Sequence, residues 1–272
     1  MSEMWDMVAG DWEENADFVD GQLAEPTLAM LDAAGVSVGD DLLDLACGPG
    51  GAGLAAVSRI GTSGTLVLAD DSPKMVAVAA RRAAGLEMVS TLACGQEEIL
   101  AADETYDAVI NRHGLMFAED PLAAIREAVR VLKVGGRYAA MTWDRRSENP
   151  WLGLILDAVA DEFGLPFPPE GMSGPFSLDD PGALGGILER DGLGQVEVER
   201  MAVPMSADSP EVWWDRVSRL AGPLPVALQG MEPGVRESIR QRAIRSGTEA
   251  ASRTGQGLVL GGSVLIASGL KG

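Results

Sequence analysis

The chain has 272 residues, 46% of them hydrophobic and 23% charged, which excludes a disordered polymer and fits one large domain or one domain with an inserted lid. Its formal net charge of -20 gives a surface that repels nucleic acid and anionic membranes, so neither is expected as a partner. Two cysteines, Cys47 and Cys94, are too few for a disulfide scaffold and have no metal-ligand spacing, so no metal is expected.

The opening "MSEMWDMVAGDWEENADF" is acidic and has no apolar core of signal-peptide length, and no later stretch is apolar enough to span a bilayer. A cytoplasmic location is the expectation. Residues 1–39 read as a helical cap, with Leu28, Met30 and Leu31 to one side of a helix that stops near Gly35. A short strand follows over 42–46, then a glycine loop, then a helix with Leu54, Val57 and Ile60 at helical spacing. "GTLVLADD" is a second strand ending in acids, and Ser72-Pro73 after it supplies a cap and a first-turn proline. "LEMVSTLACG" and "YDAVINR" are the third and fourth strands. In "DPLAAIREAVRVLK", Leu122, Ile125, Val129 and Leu132 share one helical face capped by Asp120, and "RYAAMTWD" is the fifth strand.

Beyond Asp144 the pattern changes. Residues 163–182, rich in Pro, Gly and Phe, read as an insertion over a site. "GQVEVERMAV" returns as a strand and "GLVLGGSVLIAS" is the last, with helices around 210–220 and 233–246 between them. Short apolar strands alternating with helices predict an α/β class: a doubly wound, Rossmann-like, seven-stranded and mostly parallel sheet, with helices on both faces and a helical lid.

The stretch most informative about function is "LLDLACGPGGAG" at 42–53, where Gly48, Gly50 and Gly53 have the G-x-G-x-x-G spacing between a strand and a helix. Glycines let a backbone approach its ligand closely, and the helix start offers free N–H groups. Dinucleotide enzymes and adenosyl-cofactor enzymes both use this device. Asp44 lies inside the strand, where a dinucleotide site runs apolar; an acid there suits a cofactor bearing an ammonium group, held directly or through water. Asp70, ending the second strand, suits ribose hydroxyls in either case.

The segments "LLDLACGPGG", "LVLADDSPKM", "YDAVINRHGLMFAEDP" and "VLKVGGRYAAMTWD", in that order, resemble the motifs of class I S-adenosylmethionine-dependent methyltransferases, in the small-molecule branch related to the ubiquinone/menaquinone methyltransferases. The resemblance implies a helical cap at 1–39, a cofactor-binding core at 40–145, and a remainder at 146–272 with lid insertions at about 150–182 and 204–256, all in one structural domain. It implies S-adenosyl-L-methionine as cofactor, with Asp44, Ala46, Cys47 and Gly48 along its methionine portion. Asp70, with Asp71 beside it, would take the ribose, and Met75 would pack on the adenine. Gly95, Gln96 and Glu97 would cover the adenine edge, Asn111 would face the cofactor through its backbone carbonyl, and Trp12 would close over it. The chain departs from the family pattern twice. Ala46 stands at the first glycine, which requires a φ below zero there. Gly95 stands where an acid is often found, leaving Gln96 or Glu97 to substitute.

Methyl transfer from a sulfonium needs mainly alignment in a dry pocket, and positioning of that kind supplies roughly 7–11 kcal/mol. His113, the only histidine, follows the fourth strand and is either a base or orienting donor for the acceptor, or a half-buried support of the Arg112 loop. Met116, Trp143, Trp151 and Trp213 are the candidate acceptor contacts, with Trp213 or Trp214 anchoring the lid; Phe117 reads equally well as core. Asp144 and Glu148 after the fifth strand either orient a polar acceptor or, the preferred reading, are solvated loop acids, and the cysteines read as packing residues. The expected activity is methylation of a small aromatic or polyketide-like metabolite, on oxygen first and on carbon or nitrogen next. The alternatives are the same fold using the bound cofactor for a cyclase or decarboxylase reaction, and a non-catalytic partner subunit. A small-molecule acceptor is the expected partner, and a homodimer is a possible assembly.

Overall fold

The computed structural model describes residues 2–169, 171–254 and 257–272, with the backbone alone at 253 and 254. Residue 170 of the first anticipated lid insertion and the end of the second at 256 lie outside the described residues. Three helices come first: α1 (Ser2–Glu14), α2 (Ala16–Gln22) and α3 (Ala24–Ala33). Then come β1 (Asp41–Leu45), α4 (Gly51–Ile60), β2 (Thr65–Asp70), α5 (Pro73–Arg82), β3 (Val89–Ala93), β4 (Tyr106–Arg112), α6 (Pro121–Val131) and β5 (Leu132–Trp143). The later chain holds α7 (Pro150–Phe163), α8 (Pro181–Arg190), β6 (Leu193–Ala202), β7 (Met205–Ala207), α9 (Pro210–Leu220) and α10 (Leu224–Gln229). It ends with α11 (Pro233–Ala250), β8 (Ser252–Thr254), β9 (Gly257–Leu260) and β10 (Ser263–Lys271).

One local device starts four of these helices. A Ser or Asp accepts a first-turn N–H, and the next residue is a proline that has no N–H to leave unpaired. Ser72 accepts from Met75 (3.1 Å), Asp120 from Leu122 (3.0 Å), Asp180 from Ala183 (2.9 Å) and Ser209 from Val212 (3.2 Å).

The expected α/β architecture is present. The central sheet has seven strands in the order β3-β2-β1-β4-β5-β10-β6. The first five are parallel, and β10 runs antiparallel to both of its neighbours. Leu42, Leu43, Val109, Ile110, Ala139 and Met141 are fully enclosed, as a sheet covered on both faces requires. Each such large side chain contributes about 1.5–3 kcal/mol over leaving it in water. Strand order reverses between β1 and β4, and that switch point opens a crevice at the carboxyl ends of the strands.

Two later segments differ from the expected pattern. "GLVLGGSVLIAS" is two strands in two sheets: β9 joins β7 and β8 in a small three-stranded sheet, and β10 enters the central one. The break falls at Gly261-Gly262, where Gly262 runs so close to the Val203 carbonyl that no side chain fits. The small sheet went unforeseen because strands of three and four residues are too short to show a period of two. Asp144 is not a solvated loop acid. It is fully buried, paired with Arg200, and accepts from the Ser263 hydroxyl (2.9 Å) and the Arg145 N–H (2.8 Å). Burial pushes its carboxyl up, but the Arg200 guanidinium and these donors prevail and hold it below the ordinary range. Glu148 is exposed.

Within 150–182, α7 packs against α11 and buries Trp151, Leu152, Ile155 and Leu156. No helix among the described residues is long and apolar enough to cross a membrane.

Candidate active site

The site begins where β1 ends. Ala46 (φ 55°), Gly48 (φ 53°) and Gly50 (φ 84°) turn the chain through left-handed conformations and deliver it to the start of α4. The Gly48 N–H donates to Asp70 Oδ2 (2.8 Å) and the Ser72 N–H to Asp70 Oδ1 (2.9 Å), so one carboxylate straps the loop to the end of β2. Beneath the loop, the Gly53 N–H donates to Asp44 Oδ2 (2.7 Å), while Asp44 Oδ1 has no partner among the described residues. Burial raises both acids, Asp44 to about 7 and Asp70 to about 6, against the pull of these backbone donors.

Ala46 does not have the negative φ that its exchange for glycine called for. An L-residue in this region costs about 1–2 kcal/mol. Its methyl group is matched by Gly114, where a side chain would strike both the Ala46 Cβ and the Asn111 amide. Asn111 is buried and orders this turn: Oδ1 accepts from the N–H of Gly114 (2.9 Å) and of Leu115 (2.8 Å), and Nδ2 donates to Gln96 Oε1 (3.0 Å).

Over the switch point lies a cavity of about 520 Å³. Ala46, Cys47 and Gly48 form one wall, and nothing lies within 4 Å of where a Gly48 Cβ would stand. Asp70, Asp71 and Met75 follow from β2 and α5, and Gln96 and Glu97 from the turn after β3. Gly95 is not on the wall, and Cys94 is. Asp44 and Asn111 are likewise absent from it and act from underneath.

The N-terminal helix is one side of the cavity. Asp6 accepts from the Ser72 hydroxyl (2.5 Å) and the Lys74 N–H (3.2 Å), and Glu13 pairs with Arg81. These bonds lay Trp5, Val8, Ala9 and Trp12 against Met75. Trp12 reaches the cavity, and its indole N–H is buried without a partner among the described residues. Trp5 stands edge-on to Trp12 and to Phe117 (centroids 6.4 and 5.1 Å), and both Trp5 and Phe117 line the cavity. Trp5 and Phe18 were missed in the sequence, although Trp5, Val8, Ala9 and Trp12 have i, i+3, i+4, i+7 spacing and mark an apolar helix face.

At the other end, His113, Met116, Trp143 and Trp151 line the wall. The His113 backbone is left-handed (φ 61°), fixed by its N–H to the Met141 carbonyl (2.8 Å). Neither ring nitrogen has a partner among the described residues. Burial, with the Arg112 charge beside it, pushes the imidazole down to about 3. Arg112 itself donates to Asp20 (2.7 Å) and Thr27 (3.0 Å). Trp213 does not reach the cavity: its N–H donates to the Trp151 carbonyl (2.8 Å), and Gly247 lies flush against its ring. Arg216, unremarked in the sequence, is on the wall.

Residues 43–140 match the methyltransferase domain family. The chain is 37% identical over 131 residues to the ubiquinone/menaquinone biosynthesis C-methyltransferase UbiE of Xylella fastidiosa, an alignment covering 47% of this chain and 51% of that protein. It is 36% identical over 127 residues to UbiE of Stenotrophomonas maltophilia, covering 46% and 50%. The chain thus spans about half the length of the curated relatives it matches. Among solved structures, YcgJ of Bacillus subtilis superposes with a TM-score of 0.60 at 17% identity, covering 91% of this chain and 98% of that one, which shows a shared fold.

Proposed function

From a chain whose residues 43–140 match the methyltransferase domain family and which resembles UbiE, we propose a class I methyltransferase that uses S-adenosylmethionine to methylate a small, flat and largely apolar acceptor. The observation that carries this reading is the continuity of the cavity: a glycine loop with an acid at its edge at one end, and an aromatic chamber at the other, in one space of about 520 Å³.

The residues fit the cofactor. The open face at Gly48 admits the methionine portion close to the backbone. Asp70 keeps free lone pairs on both oxygens for ribose hydroxyls, and Met75 with Trp12 offers a surface for the adenine. Asp44 is fully enclosed, so its part is to fix the first turn of α4 through Gly53 and to lend negative charge beneath the loop. The cofactor supplies an activated methyl group. The protein holds the acceptor in line with it and excludes water.

His113 bears on the atom methylated. An imidazole this hard to protonate is a weak general base near neutral pH, and with both ring nitrogens enclosed it serves better as part of the aromatic wall against which the acceptor lies. That favours a nucleophile needing little proton removal in advance, such as an electron-rich ring carbon, over an un-ionised alcohol. Methylation on carbon therefore moves ahead of oxygen. The relatives named C-methyltransferases are in keeping with this order.

The test is incubation of the purified protein with S-adenosylmethionine and a panel of hydroquinones, naphthols and primary aromatic amines, followed by mass spectrometry. Formation of S-adenosylhomocysteine with a carbon-methylated product is expected. Stoichiometric S-adenosylhomocysteine with product methylated only on oxygen or nitrogen would overturn the choice of atom. Conversion of an acceptor without S-adenosylhomocysteine would overturn the methyltransferase reading in favour of a cyclase or decarboxylase.

A further inference from the structure

We infer that the acceptor carries a carboxylate and that Arg216 is the residue that grips it. This rests on the methyltransferase reading and narrows its substrate class. Arg216 extends from α9 into the cavity wall, its guanidinium carbon 3.8 Å from the centroid of the Phe18 ring. Among the described residues no carboxylate lies within 4.0 Å of it, although the chain has 41 acids to 21 bases.

Its neighbours at the cavity differ. Arg219, one turn along the same helix, is paired with Asp11 and Glu14. Arg112, the other cation on the cavity wall, is held by Asp20. Arg137 is also half-buried without an acid, but it donates to the Ala33 carbonyl (2.9 Å). Arg216 has neither an acid nor a carbonyl among the described residues and faces the cavity, so its donors are left for a partner brought from outside.

The surroundings favour a planar anion. Stacking on Phe18 holds the guanidinium plane while leaving its rim of N–H donors in that plane. A carboxylate meets such a rim with two parallel hydrogen bonds. Val19, Val217, Leu220 and Ala221, which neighbour Phe18 and Arg216 along the chain, also line the cavity, and an apolar wall strengthens a charge pair over its value in water. The acids on the wall, Asp70, Asp71, Glu97, Glu119 and Asp120, come from the ends of β2 and β3 and from the residues that lead into α6. They repel a carboxylate there and leave it the lid side, which turns the far end of the acceptor towards the cofactor.

A carboxylate has two sources in this site, the acceptor and the methionine portion of the cofactor, and the experiment separates them. Wild type, Arg216→Gln and Arg216→Lys are titrated calorimetrically with S-adenosylhomocysteine, and each is then titrated with 2-naphthoate and with its neutral analogue 2-naphthamide. The expected result is at least tenfold tighter binding of naphthoate than of naphthamide in wild type. That preference vanishes in Arg216→Gln and partly returns in Arg216→Lys, while affinity for S-adenosylhomocysteine stays within twofold throughout. Equal binding of the two probes to wild type, binding of neither, or a preference that survives Arg216→Gln overturns the inference. A tenfold loss of S-adenosylhomocysteine affinity in Arg216→Gln also overturns it, because the carboxylate held would then be the cofactor's. Failure of wild type to bind S-adenosylhomocysteine at all counts against the methyltransferase reading instead, and the naphthoate comparison, run without it, still reports on Arg216.

Discussion

His113 and Trp143 stack face to face, their ring centroids 4.1 Å apart and their planes 11° from parallel. Trp143 is in turn met edge-on by Trp151 at 4.8 Å. The imidazole is thereby built into an aromatic wall, with burial keeping it neutral and both ring nitrogens enclosed.

Stability should record that neutrality. With the folded pKa at about 3 and the reference at 6.5, the unfolded chain binds the proton first as pH falls. This residue therefore takes stability away progressively below pH 6.5. Replacing it by Gln should flatten the decline in urea-unfolding free energy between pH 6.5 and 4.5 relative to wild type. In the rate profile, wild type should lack an inflection near 6.5 assignable to this ring; one that disappears in His113→Gln would show a working base.

Asp70 predicts the pH dependence of cofactor affinity. Its carboxyl is raised to about 6 by burial, and only the ionised form accepts two ribose hydroxyls without competition from its own proton. Affinity for S-adenosylmethionine should be level above pH 7 and fall as the pH drops through 6, approaching tenfold per unit. A curve flat from pH 8 to 5 would assign the ribose to another group.

Ala46 occupies a glycine's conformation. Ala46→Gly relieves about 1–2 kcal/mol of backbone strain and gives back part of it as unfolded-state freedom. The net expectation is a gain of about 0.5–1 kcal/mol in urea denaturation, with cofactor binding retained. A loss of stability would mean that the methyl packing against Gly114 outweighs the strain.

Trp213 is an anchor. Gly247→Ala would push a methyl into its ring, and overpacking of this kind costs about 1–3 kcal/mol. The melting temperature should fall by several degrees while S-adenosylmethionine affinity is unchanged. A weakened affinity without a thermal shift would put Trp213 in the site after all.

The parallel half of the fold was legible because each of its elements carries its own signal. Asp120-Pro121 and Ser72-Pro73 announce helix starts, and Leu42 to Leu45 and Tyr106 to Arg112 are apolar runs of strand length between turns. The glycine-loop end of the cavity was legible for the same reason, since Gly48, Asp70 and Met75, which line it, are fixed by spacing from those elements. What escaped depends on distant partners. Asp144 gives no local hint of Arg200, 56 residues away, or of Ser263, 119 residues away. Trp213 and Trp214 are adjacent aromatics on one helix, and only the position of Trp151 and Gly247 decides what the first of them does. Arg216 is informative through the acid it lacks, which no pattern along the chain records.

The central claim is that this cavity holds S-adenosylmethionine with Asp70 at its ribose. Calorimetric titration of wild type and Asp70→Ala, with S-adenosylmethionine and separately with NAD, tests it most directly. The account predicts micromolar binding of S-adenosylmethionine to wild type, a loss of at least tenfold in Asp70→Ala, and no binding of NAD. NAD binding in place of S-adenosylmethionine, or S-adenosylmethionine affinity indifferent to Asp70, would contradict it.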